Sequence, residues 1–193
     1  ASRLISESIS SNPPPRSKVA WHLPWRSRAF RALLGVYMLN GIASAIPATL
    51  VLFFVRDRLE LPQAEPVFLA AYFVAAALSL PLWIKTVQRY GLAPTWLMGM
   101  ALAVLAFSSA SLLGAGELGP FLLVCLLSGV ALGADLAVPG ALLVGVIHQA
   151  EHGGHYEGVY LGWWTLASKL NLALAAGATL PLLQLLGYSP GTR

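Results

Sequence analysis

The chain has 193 residues, of which 57% are hydrophobic and only 10% charged, and its mean hydropathy is +0.70. A water-soluble domain of this length needs more polar surface than that composition supplies, so the chain belongs in a bilayer. The formal net charge of +4 does not mark a nucleic-acid binder, because six of the twelve Lys and Arg residues lie at or before Arg31 and no basic helix face follows.

Residues 1–28 combine a serine-rich start, Pro13-Pro14-Pro15 and scattered basic residues, which is the composition of a linker without core-forming periodicity. Its basic residues precede no short apolar segment with a cleavage site, so it does not read as a signal peptide. Residues 29–193 then hold apolar runs at 31–55, 66–84, 92–114, 118–147 and 158–187. Each approaches or exceeds the roughly 20 residues a helix needs to cross a membrane, which predicts five spans and an all-α membrane protein. The last two are overlong and contain Pro139 and Pro181, so kinks or broken turns are expected there.

Alternate loops give the orientation. If the arm is cytoplasmic, that side holds Arg3, Arg16, Lys18, Arg26, Arg28, Arg31, Lys85 and Arg89, whereas the far side holds Arg56, Arg58 and Arg193. The excess favours a cytoplasmic N-terminus, and five spans then put the C-terminus outside. The chain opens without methionine and stops just after Gly187-Tyr188-Ser189-Pro190-Gly191, so it is expected to be a fragment of a larger membrane protein.

Two charges stand alone in these runs. Lys169 is isolated between Gly158 and Thr192, and Asp135 is isolated between Leu118 and Ile147. A charge at bilayer depth costs several kcal/mol and generally faces a cavity or a partner. Lys169 lies eleven residues past Gly158, roughly 17 Å along a helix, which is too deep for easy snorkelling. Thr165 precedes it by one turn, about 6 Å away on the same side, with Trp164 and Ser168 on the adjoining stripe. Hydroxyl, ammonium and indole together suit a polar solute with an apolar ring face, so Lys169, Thr165, Trp164 and Asp135 form the candidate substrate site. The plainer alternative has Trp163 and Trp164 facing lipid or the bundle and Thr165 bonded to its own backbone. Asp135 either pairs with Lys169, or contacts substrate or a coupling proton, or sits at a helix break near Pro139 satisfied by backbone N–H groups.

Several other features read as structural. Gly129-x3-Gly133 and Gly158-x3-Gly162 permit close helix approach. Asn40, Ser44 and Thr49 stripe the first span around Pro47, and Cys125 sits in apolar surroundings as a small hydrophobe. Arg89 either clamps neighbouring helix ends or serves the positive-inside bias. His148, His152 and His155 have helical spacing, but Gly153-Gly154 interrupts them and a di-iron box needs far more histidine, so a solvated loop is expected and no metal. No G-x-S-x-G, phosphate-binding loop or paired-carboxylate arrangement points to an enzyme.

Read in order, Gly133-Ala134-Asp135 with Pro139, then Tyr156-Glu157-Gly158, then Lys169 in mid-helix, then Gly187-Tyr188-Ser189-Pro190-Gly191, resembles the tenth and eleventh helices of the glycoside-pentoside-hexuronide:cation symporters. These form the melibiose-carrier-like branch of the major facilitator superfamily. Pro81-Leu82-Trp83 through Arg89-Tyr90-Gly91 is similar to that family's eighth-helix end and cytoplasmic turn. Members usually carry acidic residues where this chain has Gly145 and His148, and often an arginine near His155 and Tyr156. The resemblance implies that the arm is the central loop joining two six-helix halves and that the spans are helices seven to eleven. It implies cation-coupled symport of a sugar or related small organic solute by rocking of two halves. No cofactor is expected. The coupling Na+ or H+ would be bound mainly by an N-terminal half of the same transporter, absent here. The expected partners are the solute, the lipid bilayer and that half, and the expected location is the cell's inner membrane. A lysolipid or other amphiphile carrier, or a noncatalytic membrane assembly subunit, are the alternatives.

Overall fold

A computed structural model describes residues 21–150 and 156–185, with backbone only for Leu52, Ala175, Ala176 and residues 178–185. The arm before Trp21, His152, His155 and the Gly187–Gly191 motif lie outside the described residues. Among the described residues there are helices and no strands. A short α1 (Leu23–Arg26) precedes α2 (Arg28–Phe53), α3 (Glu65–Tyr90), α4 (Leu92–Ala110), α5 (Leu118–Gln149) and α6 (Glu157–Leu185). A π-helical turn, Phe54–Arg58, continues α2, and a 3-10 turn, Pro62–Ala64, leads into α3.

The five long helices fall on the five apolar runs, and local chemistry sets their ends. Ser27 caps α2 by accepting a hydrogen bond from the Phe30 N–H at 3.2 Å. Gly91, with φ 85°, is the single residue between α3 and α4; this left-handed backbone is why glycine stands at so tight a reversal. Pro47, Pro81 and Pro139 lie inside α2, α3 and α5. Of the kinks or broken turns expected at Pro139, a broken turn does not occur, since α5 runs as one helix for 32 residues. Proline removes one i→i−4 bond, and here the packing of α3 and α4 along α5 holds the helix through that gap. The acceptor deprived of its donor is the carbonyl of Asp135.

Among the described residues, four helices are long and apolar enough to cross a membrane: Arg28–Val51, Pro62–Tyr90, Leu92–Ala110 and Leu118–Gln149. The fifth long helix, α6, has 29 residues and is not among those four; much of its distal side-chain set lies outside the described residues. Leu78, Leu105 and Leu172 are each at least two-thirds exposed on the bundle's exterior, the surface that hydrocarbon would cover.

α5 is the core of the bundle, packing along α3 and α4, while α6 packs on α2. The GxxxG of α5 makes the α3 contact: a Cβ on Gly129 would collide with the Tyr72 carbonyl, and one on Gly133 with the Ser79 hydroxyl. The second GxxxG does not act this way. Gly158 has open space beside it, and Gly162 meets only the edge of the Trp21 ring, 3.9 Å from a built Cβ. The close approach between α2 and α6 occurs instead where Gly41 lies against the Asn171 side chain. Two apolar clusters close the ends. Phe30, Leu34, Trp96, Val138, Ile147 and Tyr160 pack near the Gly91 end, and Val55, Leu59, Phe68, Phe121 and Val124 near the π-helical turn.

The stretch from Trp21 to Ser27, expected as linker, forms a turn of helix docked on α6. The Trp21 carbonyl accepts from Trp163 Nε1 at 2.9 Å, and the Trp25 ring meets Trp163 edge-on at 5.0 Å. Two tryptophans supply enough apolar area to order a segment whose Pro and Arg content reads as linker.

Candidate functional site

Asp135 sits in mid-α5 with its carboxylate held from two sides. Asn40 Nδ2 on α2 donates to Oδ1 at 3.1 Å, and Trp96 Nε1 on α4 donates to the same oxygen at 2.7 Å. Trp96 is 4% exposed, so its indole N–H has been taken out of solvent and aimed at one acceptor. Among the described residues Oδ2 has no hydrogen-bond partner, and it is not among the fully enclosed unpaired atoms. The residue lines a cavity of about 520 Å³.

That cavity runs between α2, the π-helical turn, α3, α4 and α5. Its walls include Ser44, Pro47, Val51, Phe54, Phe68, Tyr72, Phe73, Phe107, Phe121 and Leu132. From Phe121 to Asp135 is fourteen residues of α5, roughly 21 Å, so the space is elongated, and Asp135 lines it midway along the helix. Glu65 is the other carboxylate on the wall, near the start of α3. It is matched by Arg56, whose Nε and second terminal nitrogen reach the two carboxylate oxygens at 2.6 and 3.3 Å. Among the described residues Asp135 has only neutral donors.

The four candidate residues do not converge. Thr165 and Lys169 are exposed on α6, and the Asp135–Lys169 ion pair, one of the alternatives for Asp135, is not formed among the described residues. The reason is helical phase: Lys169 follows the buried Ala167 by two residues, about 200° around the helix, which turns it away from α2. Trp164 is engaged at the α2–α6 seam, its ring stacked on Tyr37 at 4.1 Å and 28°. Ser168 Oγ donates to the Trp164 carbonyl at 3.0 Å, which leaves the Tyr37 hydroxyl to donate to Ser168 at 2.9 Å. Asn171 Nδ2 reaches the Tyr37 carbonyl at 3.4 Å, while Asn171 Oδ1 is enclosed without a partner.

Of the first-span stripe, Asn40 reaches Asp135, Ser44 lines the cavity, and Thr49 bonds back to the Ala45 carbonyl at 2.9 Å. Arg89 lies over the Tyr90 ring at 5.4 Å. Cys125 is buried and lines the cavity. Trp96 is the residue that sequence reasoning missed; the available signal was an indole N–H in mid-membrane, which demands an acceptor. Its only ionised acceptor within an apolar run is Asp135.

An apolar cavity within a helical bundle and lined by a carboxylate is the arrangement of a small-molecule pathway. A protein-family model described as MFS/sugar transport protein matches residues 11–193. The chain belongs to this family. It is therefore an integral membrane protein of a transporter family, built from helices alone among its described residues. Comparison with curated proteins and with solved structures gave no match.

Proposed function

We propose that the chain contributes the second helical half of a secondary carrier of the melibiose-carrier-like branch, moving a small organic solute with Na+ or H+ by alternating access. The observation that carries this reading is the elongated cavity lined by Asp135, whose carboxylate is oriented from α2 and α4 and keeps one oxygen open. A site between helices, midway along α5, is what rocking of two halves would expose alternately. Thr165 and Lys169, turned outward from α6, would offer their hydroxyl and ammonium to solute at the face shared with the first half. The coupling ion would be held mainly by that half. The loop count supports a cytoplasmic N-terminal side, and the carrier reading implies the inner membrane.

The family description supplies sugar as the first solute class. The walls favour a second class, an amphiphile, because Phe54, Phe68, Phe73, Phe107 and Phe121 offer apolar surface and no hydrogen bonds to hydroxyls. The test is uptake into vesicles by the full-length carrier under an imposed Na+ or proton gradient, screening sugars and lysolipids. Uptake that follows the ion gradient supports symport. Transport unaffected by either gradient refutes coupling, and no transport of any solute favours the assembly-subunit alternative.

A further inference from the structure

The geometry points to an amphiphilic organic cation as the ligand of this cavity: an ammonium head on Asp135 and an aromatic or alkyl body along the apolar walls. The inference rests on the carrier reading and narrows its solute class. Charge bookkeeping on the cavity wall supports it. Of the two carboxylates on the wall, Glu65 is paired with Arg56, whereas Asp135 meets only the neutral donors Asn40 and Trp96 among the described residues, so its ionised form has no counter-charge there. A charge removed from water needs an opposite partner as well as hydrogen bonds.

The acceptors are placed for such a head. Both neutral donors converge on Oδ1, leaving Oδ2 for the ligand, and Pro139 deprives the Asp135 main-chain carbonyl of its helical donor. One residue thus supplies a carboxylate oxygen without a donor among the described residues and a main-chain carbonyl that lacks its usual i+4 donor. Farther along the cavity, the Tyr72 and Phe73 rings, 5.2 Å apart and edge-on, add aromatic surface. Aromatic faces attract a desolvated cation and pack an apolar body. A volume of about 520 Å³ is that of a drug-sized ligand. A sugar would face walls that are mostly apolar, with only a few polar groups such as Ser44, Tyr72 and Asp135 to meet its hydroxyls, and an anion would meet Asp135 unfavourably.

The experiment is equilibrium binding to the full-length protein in lipid nanodiscs, using tritiated 4-phenylbutyltrimethylammonium. 4-Phenylbutanesulfonate, with the same body and an anionic head, serves as competitor. Saturable binding of the ammonium probe is expected, with at least tenfold weaker binding in Asp135→Asn and no displacement by the sulfonate. Asp135→Asn retains an oxygen for Trp96 and Asn40. Leu132→Trp, which narrows the cavity without touching a charge, should weaken binding as well. Equal binding to wild type and Asp135→Asn, or displacement by the sulfonate, overturns the proposal. So does sodium binding at Asp135 with no ammonium binding, which would make the residue an ion site. Uptake separates the two readings: sugar uptake without ammonium binding refutes this inference and keeps the carrier, whereas ammonium binding without any uptake does the reverse.

Discussion

Replacing Gly133 by alanine sets helix propensity against packing, and the structure decides the sign. Alanine is worth about 1 kcal/mol more than glycine in a helix interior. A Cβ on Gly133, however, would collide with the Ser79 hydroxyl and lie 3.0 Å from the Ala76 carbonyl and 3.2 Å from Trp83 Cδ1. Ser79 is 5% exposed and Trp83 is 5% exposed, so neither has room to withdraw. Ser79 also donates to the Ala76 carbonyl at 2.8 Å, and Trp83 Nε1 to the Val130 carbonyl at 2.7 Å. Overpacking costs about 1–3 kcal/mol, and a disturbed hydrogen bond adds about 1 kcal/mol. The net expectation is about 1–3 kcal/mol of destabilisation, lowering Tm by about 2–4 °C for each kcal/mol. The assay is thermal unfolding of the purified protein in detergent, followed by size-exclusion recovery. Gly145→Ala in the same helix, where nothing lies within 4 Å, should instead be neutral or stabilising by up to about 1 kcal/mol. Adding Ser79→Ala to Gly133→Ala should recover part of the loss, a coupling that a double-mutant cycle measures. A Gly133→Ala protein as stable as wild type would refute the packing argument.

Three further outcomes follow from the same geometry. Trp96→Phe removes one donor from the half-buried Asp135 side chain and should destabilise by about 1–3 kcal/mol, measured by the same unfolding assay. Gly41→Ala should destabilise by about 1–3 kcal/mol through collision with Asn171, while Gly162→Ala is tolerated; comparing their melting temperatures tests which glycine carries the α2–α6 contact. Lys169→Ala should leave melting unchanged, because the side chain is exposed and makes no ion pair among the described residues, yet reduce solute uptake by the intact carrier. Unchanged uptake would remove Lys169 from the site.

The helices were legible because hydropathy and length control them: the runs beginning at 31, 66, 92, 118 and 158 each overlap a helix, although α3 continues six residues past the run's end at 84 to Tyr90. Gly91 and the α5 glycines were legible because a reversal and a close approach both exclude side chains. The partners of Asp135 were not. Asn40 and Trp96 lie 95 and 39 residues away in the chain, and only the rotational phase of three packed helices brings their donors to one oxygen. The same phase separates Lys169 from Asp135. Spacing within α6 correctly put Thr165 and Lys169 on one side, but it carried no information on which side faces α2. Gly158-x3-Gly162 failed for that reason, since a motif marks a surface where helices can meet and does not supply the neighbour.

The seam between α2 and α6 differs in mechanical character from the rest of the bundle. α3, α4 and α5 interlock through glycines pressed against backbone and buried side chains, which makes them a stiff block. α2 stands across the cavity from that block, joined to α6 by a ring stack, a hydroxyl pair and an asparagine whose oxygen is left without a donor. Separating α2 and α6 by a small slip forfeits little hydrogen bonding and gives Asn171 Oδ1 a chance to find a donor. The bundle therefore has a built-in slip plane, and amide exchange should be faster along α2 than along α5.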